Sequence, residues 1–417
     1  MKPGEATSLT LIVVVAAALF CQVPLAYGSG FAVYTQGASA LGQGNAVIAH
    51  GDDPTAIFYN PAQINKLAGT QVSVGTTLMF PSREFTSDTT GATAETKDTL
   101  FYPSTFYVTH KINDTVSVGL GVFSPFGLST EWDGNWEGRY ITTKSRLQTF
   151  NINPVASVQL TPAVSVAAGV DILVLNATLE KKLRSTALGI PGPSFDIGQK
   201  FDGDAIGVGY NVGVLVELPY DVALGASYRS GTTVHVTGNS SSSGAPPAVA
   251  TLLNSPGTAR LELPQQVNAG IAYKGLPSLT VEAGLRWEGW SSFDKLSIDL
   301  DNGQSQTTPR NWKDVFSYNV GAKYQLSESV ALLGGYLYGN TPVPDNTFDP
   351  SIPDATTHVF SLGTDLFYRQ FKISGSYAYQ MLEERHKTNN IPVPPGQANG
   401  TYDTDIHMIA LNLVYRF

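Results

Sequence analysis

The sequence predicts an all-β fold: a transmembrane antiparallel β-barrel of about fourteen strands with an N-terminal plug inside its lumen. Three observations carry this. First, the last ten residues alternate. Ile409, Leu411, Leu413, Tyr415 and Phe417 share one face, and Met408, Ala410, Asn412, Val414 and Arg416 share the other. That period-2 apolar face is long enough to cross a bilayer, and a final strand ending on an aromatic suits a sheet that closes on its own first strand. Second, the connections between alternating segments are short and long in strict turn. Third, beyond one short N-terminal run, no stretch approaches about 18 consecutive apolar residues, so no crossing by helix is expected.

Residues 1–28 read as a signal peptide. Lys2 supplies a positive end, Leu9 to Phe20 an apolar run too short to span, and Ala26-Tyr27-Gly28 a cleavage region. Cleavage after Gly28 makes Ser29 the first mature residue. The one cysteine, Cys21, falls inside this segment. Phe20 is too bulky to precede a lipidated cysteine, so the mature chain is expected to have no disulfide and no thiolate chemistry.

Residues 29–67 are rich in glycine and small residues but also carry Phe31, Ile48, Ile57, Phe58 and Ile64. A disordered tail would be more polar. A barrel of this size would be an open pore unless filled, and inward strand positions are often small: Gly75, Gly119, Gly121, Ala167, Gly169, Gly225 and Gly270. The segment is therefore read as a lumenal plug.

Residues 68–417 form the barrel. Strands are expected near 70–80, 101–112, 115–124, 146–160, 163–179, 204–218, 221–236, 259–274, 278–290, 312–326, 329–340, 357–369, 371–383 and 405–417. Tight joins such as Asn113-Asp114, Thr161-Pro162 and Pro219-Tyr220 alternate with long loops near 81–100, 125–145, 180–203, 237–258, 291–311, 341–356 and 384–404. Short periplasmic turns and long extracellular loops give this rhythm. Aromatics near strand ends, namely Tyr102, Trp287, Trp290, Trp312, Tyr336, Tyr338, Tyr368 and Tyr379, read as interfacial girdles.

The plug also carries a family resemblance. Ser29-Gly30-Phe31, then Gly37-Ala38-Ser39-Ala40-Leu41-Gly42, Gly44, Asp52-Asp53-Pro54 and Tyr59-Asn60-Pro61-Ala62 occur in that order. Ser124-Pro125-Phe126-Gly127-Leu128, Trp136 to Tyr140, Asn340 to Asp345 and Ile352-Pro353-Asp354 follow downstream. The set resembles the FadL/TodX-type outer-membrane transporters of long-chain fatty acids and aromatic hydrocarbons. That resemblance implies passive uptake of hydrophobic compounds across the bacterial outer membrane. It implies capture by apolar loops, a pocket beside the plug N-terminus, and exit through a wall opening beside the third strand.

Site residues follow from both readings. Leu188, Ile190, Phe195 and Ile197 lie in the third long loop, and Val249, Leu252 and Leu253 in the fourth. Exposed apolar loop residues suit a capture surface, and the resemblance puts capture there. Phe31 matches a pocket residue of the family. Pro125 interrupts a good strand and Gly127 loosens it, where the resemblance places the opening. Asn60, Pro61 and Ala62 read as a rigid turn anchoring the plug. Inward charges, namely Asp171, Glu217, Arg229, Lys274, Glu282, Arg286, Glu288 and Lys323, are mixed in sign and should pair. One basic residue, with Lys181, Lys182 and Arg184 also candidates, could hold a carboxylate.

Other functions find less in the chain. A net charge of −9 with no basic cluster argues against nucleic acid. No metal or cofactor is expected, because the histidines show no ligand spacing and Gly42-x-Gly44 lacks the third glycine. Gly225-Ala226-Ser227 lacks the glycine of a nucleophile elbow, so a hydrolase is the weaker alternative. A general diffusion porin is the other. Expected partners are hydrophobic small molecules, outer-membrane lipid and barrel-assembly machinery, and the protein is expected to be a monomer. The sequence does not choose between fatty acids, alkanes and monoaromatics.

Overall fold

The structure, a computed structural model, describes residues 30–97, 100–391 and 397–417. The signal peptide, Cys21 and Ser29 lie outside them. One antiparallel sheet closes into a barrel of fourteen wall strands. On the first side these are β1 (Thr70–Ser87), β2 (Ser104–Lys111), β3 (Val116–Phe123, resuming at Gly127–Glu131), β4 (Lys144–Thr161) and β5 (Val164–Arg184). Then come β6 (Asp196–Leu218), β7 (Val222–Arg229, resuming at Thr232–Ser243), β8 (Ser255–Leu263 and Gln266–Leu276) and β9 (Leu279–Glu288, resuming at Lys295–Leu300). The last five are β10 (Ser305–Pro309 and Val315–Ser327), β11 (Val330–Gly339), β12 (Thr357–Tyr368), β13 (Phe371–Leu382 and Arg385–Lys387) and β14 (Gly400–Arg416). β14 closes on β1 from Gln71 opposite Arg416 to Ser87 opposite Gly400.

The alternation seen in the sequence becomes the two faces of the wall. On β6, Ile206 and Val208 are 70% and 68% exposed, as lipid-facing residues of an isolated barrel must be, whereas Asn211 is buried inward. The tight joins fold as expected. In the three-residue connection Pro219 to Asp221 between β6 and β7, Tyr220 and Asp221 both take positive φ.

Apart from the one near 341–356, the long connections are shorter than the sequence suggested. The ladder of β5 and β6 continues to Arg184 opposite Asp196, so most of 180–203 is hairpin. β7 runs to Ser243, a helix covers Pro247–Leu253, and β8 begins at Ser255. The stretch 291–311 is largely a second hairpin, Lys295–Leu300 against Ser305–Pro309. These extensions escaped the sequence reading because above the membrane the outward face turns polar (Thr178, Glu180, Lys182), and the hydrophobic contrast that marks a wall strand is lost.

Residues 30–67 run through the barrel interior. The helix Ala38–Gly42 touches β11 to β14, and the 3-10 helix Pro61–Lys66 touches the far wall at β2 to β6. Wall glycines make room for this backbone. A methyl on Gly335 would sit 2.1 Å from the carbonyl carbon of Gln43, and one on Gly225 equally close to Ile48. Gly119, Gly121 and Gly270 also face this segment, as expected, but Gly75 and Gly169 face side chains of the wall itself.

Candidate ligand-binding site

Pro125 breaks β3 as its missing N–H dictates, leaving peptide groups without a ladder partner. Other parts of the chain take them up. Gly127 N–H donates to Phe31 O (2.7 Å) and Val33 N–H donates to Pro125 O (2.8 Å), so residues 31–33 lie as a short strand along the break. The Gln36 amide donates to Ser124 O (2.7 Å) and accepts from Ser124 N–H (3.3 Å). From β4, the Thr149 hydroxyl accepts from Phe126 N–H and donates to Phe126 O. The interruption is therefore sealed from inside by the N-terminal segment.

Phe31 is held there by rings. Trp290 lies 4.6 Å away, Trp312 5.7 Å, Phe293 5.8 Å and Phe126 6.2 Å, centroid to centroid. Gly30 before it has φ +68° and lies against Trp290 and Trp312, a conformation and a clearance that suit glycine. Its amide donates to Asp354 Oδ2 (3.2 Å), which also accepts from the Thr341 hydroxyl (2.6 Å). Burial in this loop pushes the Asp354 carboxyl up to about 7.

An apolar inner cavity opens beside Phe31, walled by Leu128, Leu147, Phe201, Leu261, Phe293 and Ile352. It runs into a wider outer cavity, since Ser145, Leu179, Phe201, Leu296, Arg310 and Ser351 border both. The outer cavity is amphipathic: Ile141, Leu296, Ile298 and Leu300 share its wall with Lys144, Lys181, Gln199, Gln306 and Thr308. Arg310 is bonded to Asp349 (2.7 Å) and Ser351 (3.2 Å). Lys181 borders the same space with no hydrogen-bond or ion-pair partner among the described residues. An alkyl chain beside Phe31 with an anionic end toward Lys181 matches this polarity.

Of the residues singled out in the sequence, Phe31, Pro125 and Gly127 meet at this site. Asn60 lies away from it, donating from Nδ2 to Ile48 O (2.8 Å) and to Val214 O of β6 (2.9 Å), while its Oδ1 accepts from Ala62 N–H (3.2 Å). Pro61 opens the 3-10 helix against Gly213. The seven loop residues do not border either cavity. Leu188, Phe195 and Leu252 are exposed on loop tips, Ile190 and Val249 are half-buried, and Ile197 and Leu253 are buried.

Trp290 and Trp312 are corrections. They were expected in a girdle, yet both are buried around Phe31. Each sits where a strand is interrupted, after Gly289 and after Asn311, so the period-2 rule no longer gave their direction. Arg310 and Asp354, in irregular segments, carried no periodic signal at all.

The inward charges pair. Arg229 meets Asp171, and Arg286 lies over the Tyr34 ring (3.8 Å) and donates to Asn268. Glu282 receives the amides of Ile48 and Ala49 and contacts His50 Nδ1 (2.6 Å). Lys323 and Lys372 bind Asp52 (2.6 Å each), Lys372 also Asp53 (2.8 Å), and both reach Asp365.

Comparison with known proteins gives a consistent set. Residues 19–417 match a family model described as "Outer membrane protein transport protein (OMPP1/FadL/TodX)". A long-chain fatty acid transport protein of Escherichia coli O6:H1 is 27% identical over 366 residues, 79% of this chain and 81% of that protein. A 47 kDa outer membrane protein of Pasteurella multocida is 25% identical over 92% of each chain. Among solved structures, a Pseudomonas aeruginosa FadL homologue aligns with TM-score 0.83 at 20% identity, over 93% of this chain and 100% of that one. The Ralstonia pickettii toluene transporter TbuX aligns at 0.71 and 19%, over 92% and 100%.

Proposed function

The chain belongs to the outer membrane protein transport family (OMPP1/FadL/TodX), and from that premise we propose that it carries long-chain fatty acids through its lumen and out through its wall. It is a bacterial outer-membrane β-barrel transporter of the type that handles fatty acids or hydrocarbons. The observation that carries the finer reading is the polarity of the joined cavities: rings and aliphatics at Phe31, an unpartnered ammonium at Lys181. A toluene-sized ligand would leave that cation without a partner, whereas an alkyl carboxylate uses both ends.

Residues 30–67 act as a plug that excludes polar solutes. Ligand filling the inner cavity competes with Phe31 for its ring cage and draws residues 31–33 off β3. The interruption at Pro125 and Gly127 then opens sideways toward lipid, and unpaired backbone there is tolerable because it lines a cavity. Asn60-Pro61-Ala62 hold the rest of the plug in place. The protein works as a monomer whose macromolecular contacts are lipid and the machinery that assembles it. No side-chain constellation at the site supports catalysis as well as transport.

The test compares oleate with oleyl alcohol, equal in tail and different in charge. Binding of oleate to the purified Lys181→Met variant should weaken by about tenfold or more, the scale of one charge-assisted hydrogen bond, with oleyl alcohol unchanged. Equal loss for both, or preference for toluene over oleate in the unaltered protein, would overturn the fatty-acid reading.

A further inference from the structure

The apolar loop residues that the sequence offered for capture do not border the conduit, but another element does. The hairpin of β9 and β10, Lys295–Leu300 against Ser305–Pro309, has two unlike faces. Leu296, Ile298 and Leu300, with Gln306 and Thr308 opposite two of them, face the outer cavity. Lys295, Asp299 and Thr307 are exposed and do not border it. Across the cavity stand Leu179, Lys181, Gln199 and Phe201 of β5 and β6.

Above its base, where Arg310 is tied to Asp349, Ser351 and Thr347, the hairpin is braced along one strand alone. Its first strand pairs with β8 from Gly257 opposite Leu300 to Arg260 opposite Ser297. Its tip donates from Asp301 N–H to Pro256 O (2.9 Å) and from Asn302 Nδ2 to Leu252 O (2.8 Å). The helix Pro247–Leu253 thus serves as a buttress for the hairpin. The second strand, Ser305–Pro309, pairs only with the first among the described residues, so its outer edge borders the slot unpaired. A short strand held at one edge is the part of a sheet with least resistance to bending.

We propose that hydrophobic ligands enter through the slot between this hairpin and strands β5 and β6. The hairpin's apolar face is then the first surface they bind, in place of the loop tips at Leu188 and Leu252. The ligand class is a single-chain amphiphile with an anionic end. Leu296 lies at the junction of the two cavities, so a chain bound along the hairpin continues toward Phe31 without crossing water. Lys181 on the facing wall receives the charged end. This rests on the transport reading above but places the entrance on a different element.

The experiment uses the processed protein in cells, where no native cysteine is expected, with single cysteines introduced by Thr308→Cys, Thr307→Cys and Leu252→Cys. Each variant is reacted with a bulky hydrophilic maleimide, and uptake of radiolabelled oleate and of toluene is compared before and after reaction in the same cells. Labelling at position 308 should abolish most uptake of oleate, while labelling at 307, one residue away on the opposite face, should not. Full uptake after labelling at 308, or loss at 252 with none at 308, overturns the proposed entrance and leaves transport standing. Uptake of neither probe by the unmodified protein sinks both readings.

Discussion

Asp354 holds the amide of Gly30 while buried among apolar loop residues, and burial favours its neutral form. Its raised pKa has a definite sign. The stability that comes from keeping Asp354 neutral is complete below the ordinary carboxylate value and is lost as pH rises through about 7, because burial penalises the ionised group more than the Gly30 and Thr341 hydrogen bonds favour it. The N-terminal segment should therefore loosen between pH 5 and 8.5, read as a change in fluorescence of Trp290 and Trp312 beside Phe31. In Asp354→Asn the change should vanish, and a profile as steep as that of the unaltered protein would discard this role. At this scale the sequence was partly legible. Phe31 stood out because the resemblance matches it to a pocket residue of the family. The rings that cage it did not, since Trp290 and Trp312 look like girdle residues until the strand interruptions turn them inward.

Between residues and the whole lies the repaired interruption of β3. Among the described residues, Gln36 is the side chain that meets both the N–H and the C=O of Ser124. Gln36→Ala should leave that peptide unsatisfied at a cost of about 1–3 kcal/mol. Amide exchange at Ser124 and Val33 should quicken while exchange along the β14–β1 ladder stays slow. Uniform acceleration would mean global destabilisation and no local seal. The strands themselves were read well, because lipid on one side and lumen on the other impose opposite chemistry on alternate residues. Where both sides are wet, as in the upper parts of β5 to β10, that contrast disappears. The same loss hid the β9–β10 hairpin, whose three apolar residues (Leu296, Ile298 and Leu300) alternate within too short a stretch to stand out.

For the molecule as one body, the interior segment and the wall are joined by charge. Lys372, fully buried on β13, holds Asp52 and Asp53 of the interior segment and lies 3.3 Å from Asp365. Lys372→Met removes one cation from a set of three carboxylates. The expected cost is at most about 3–5 kcal/mol, because buried Asp53 loses its cation while Lys323 still holds Asp52 and Asp365. The plug should then yield: the variant in planar bilayers should conduct ions steadily where the unaltered protein is nearly closed. Silence of the variant would show that packing against the wall glycines suffices. The inward charges were legible as pairs, yet their partners on the plug were not, because a single sequence cannot say which loop residue faces which strand.

The seam between β1 and β14 has a consequence for the chain's history. Ser73 meets Asn412 across 339 residues of sequence, and Gly30 meets Asp354 across 324. Such separations are the slowest contacts to find. Synthesis completes the first strand hundreds of residues before its partner exists, and the interior segment precedes everything that will surround it. Until residue 400 emerges, the growing sheet has two raw borders and a greasy exterior, the condition in which polypeptides clump. The barrel must therefore be rolled around its filling, since a closed wall gripping that filling on opposite sides offers no later way in.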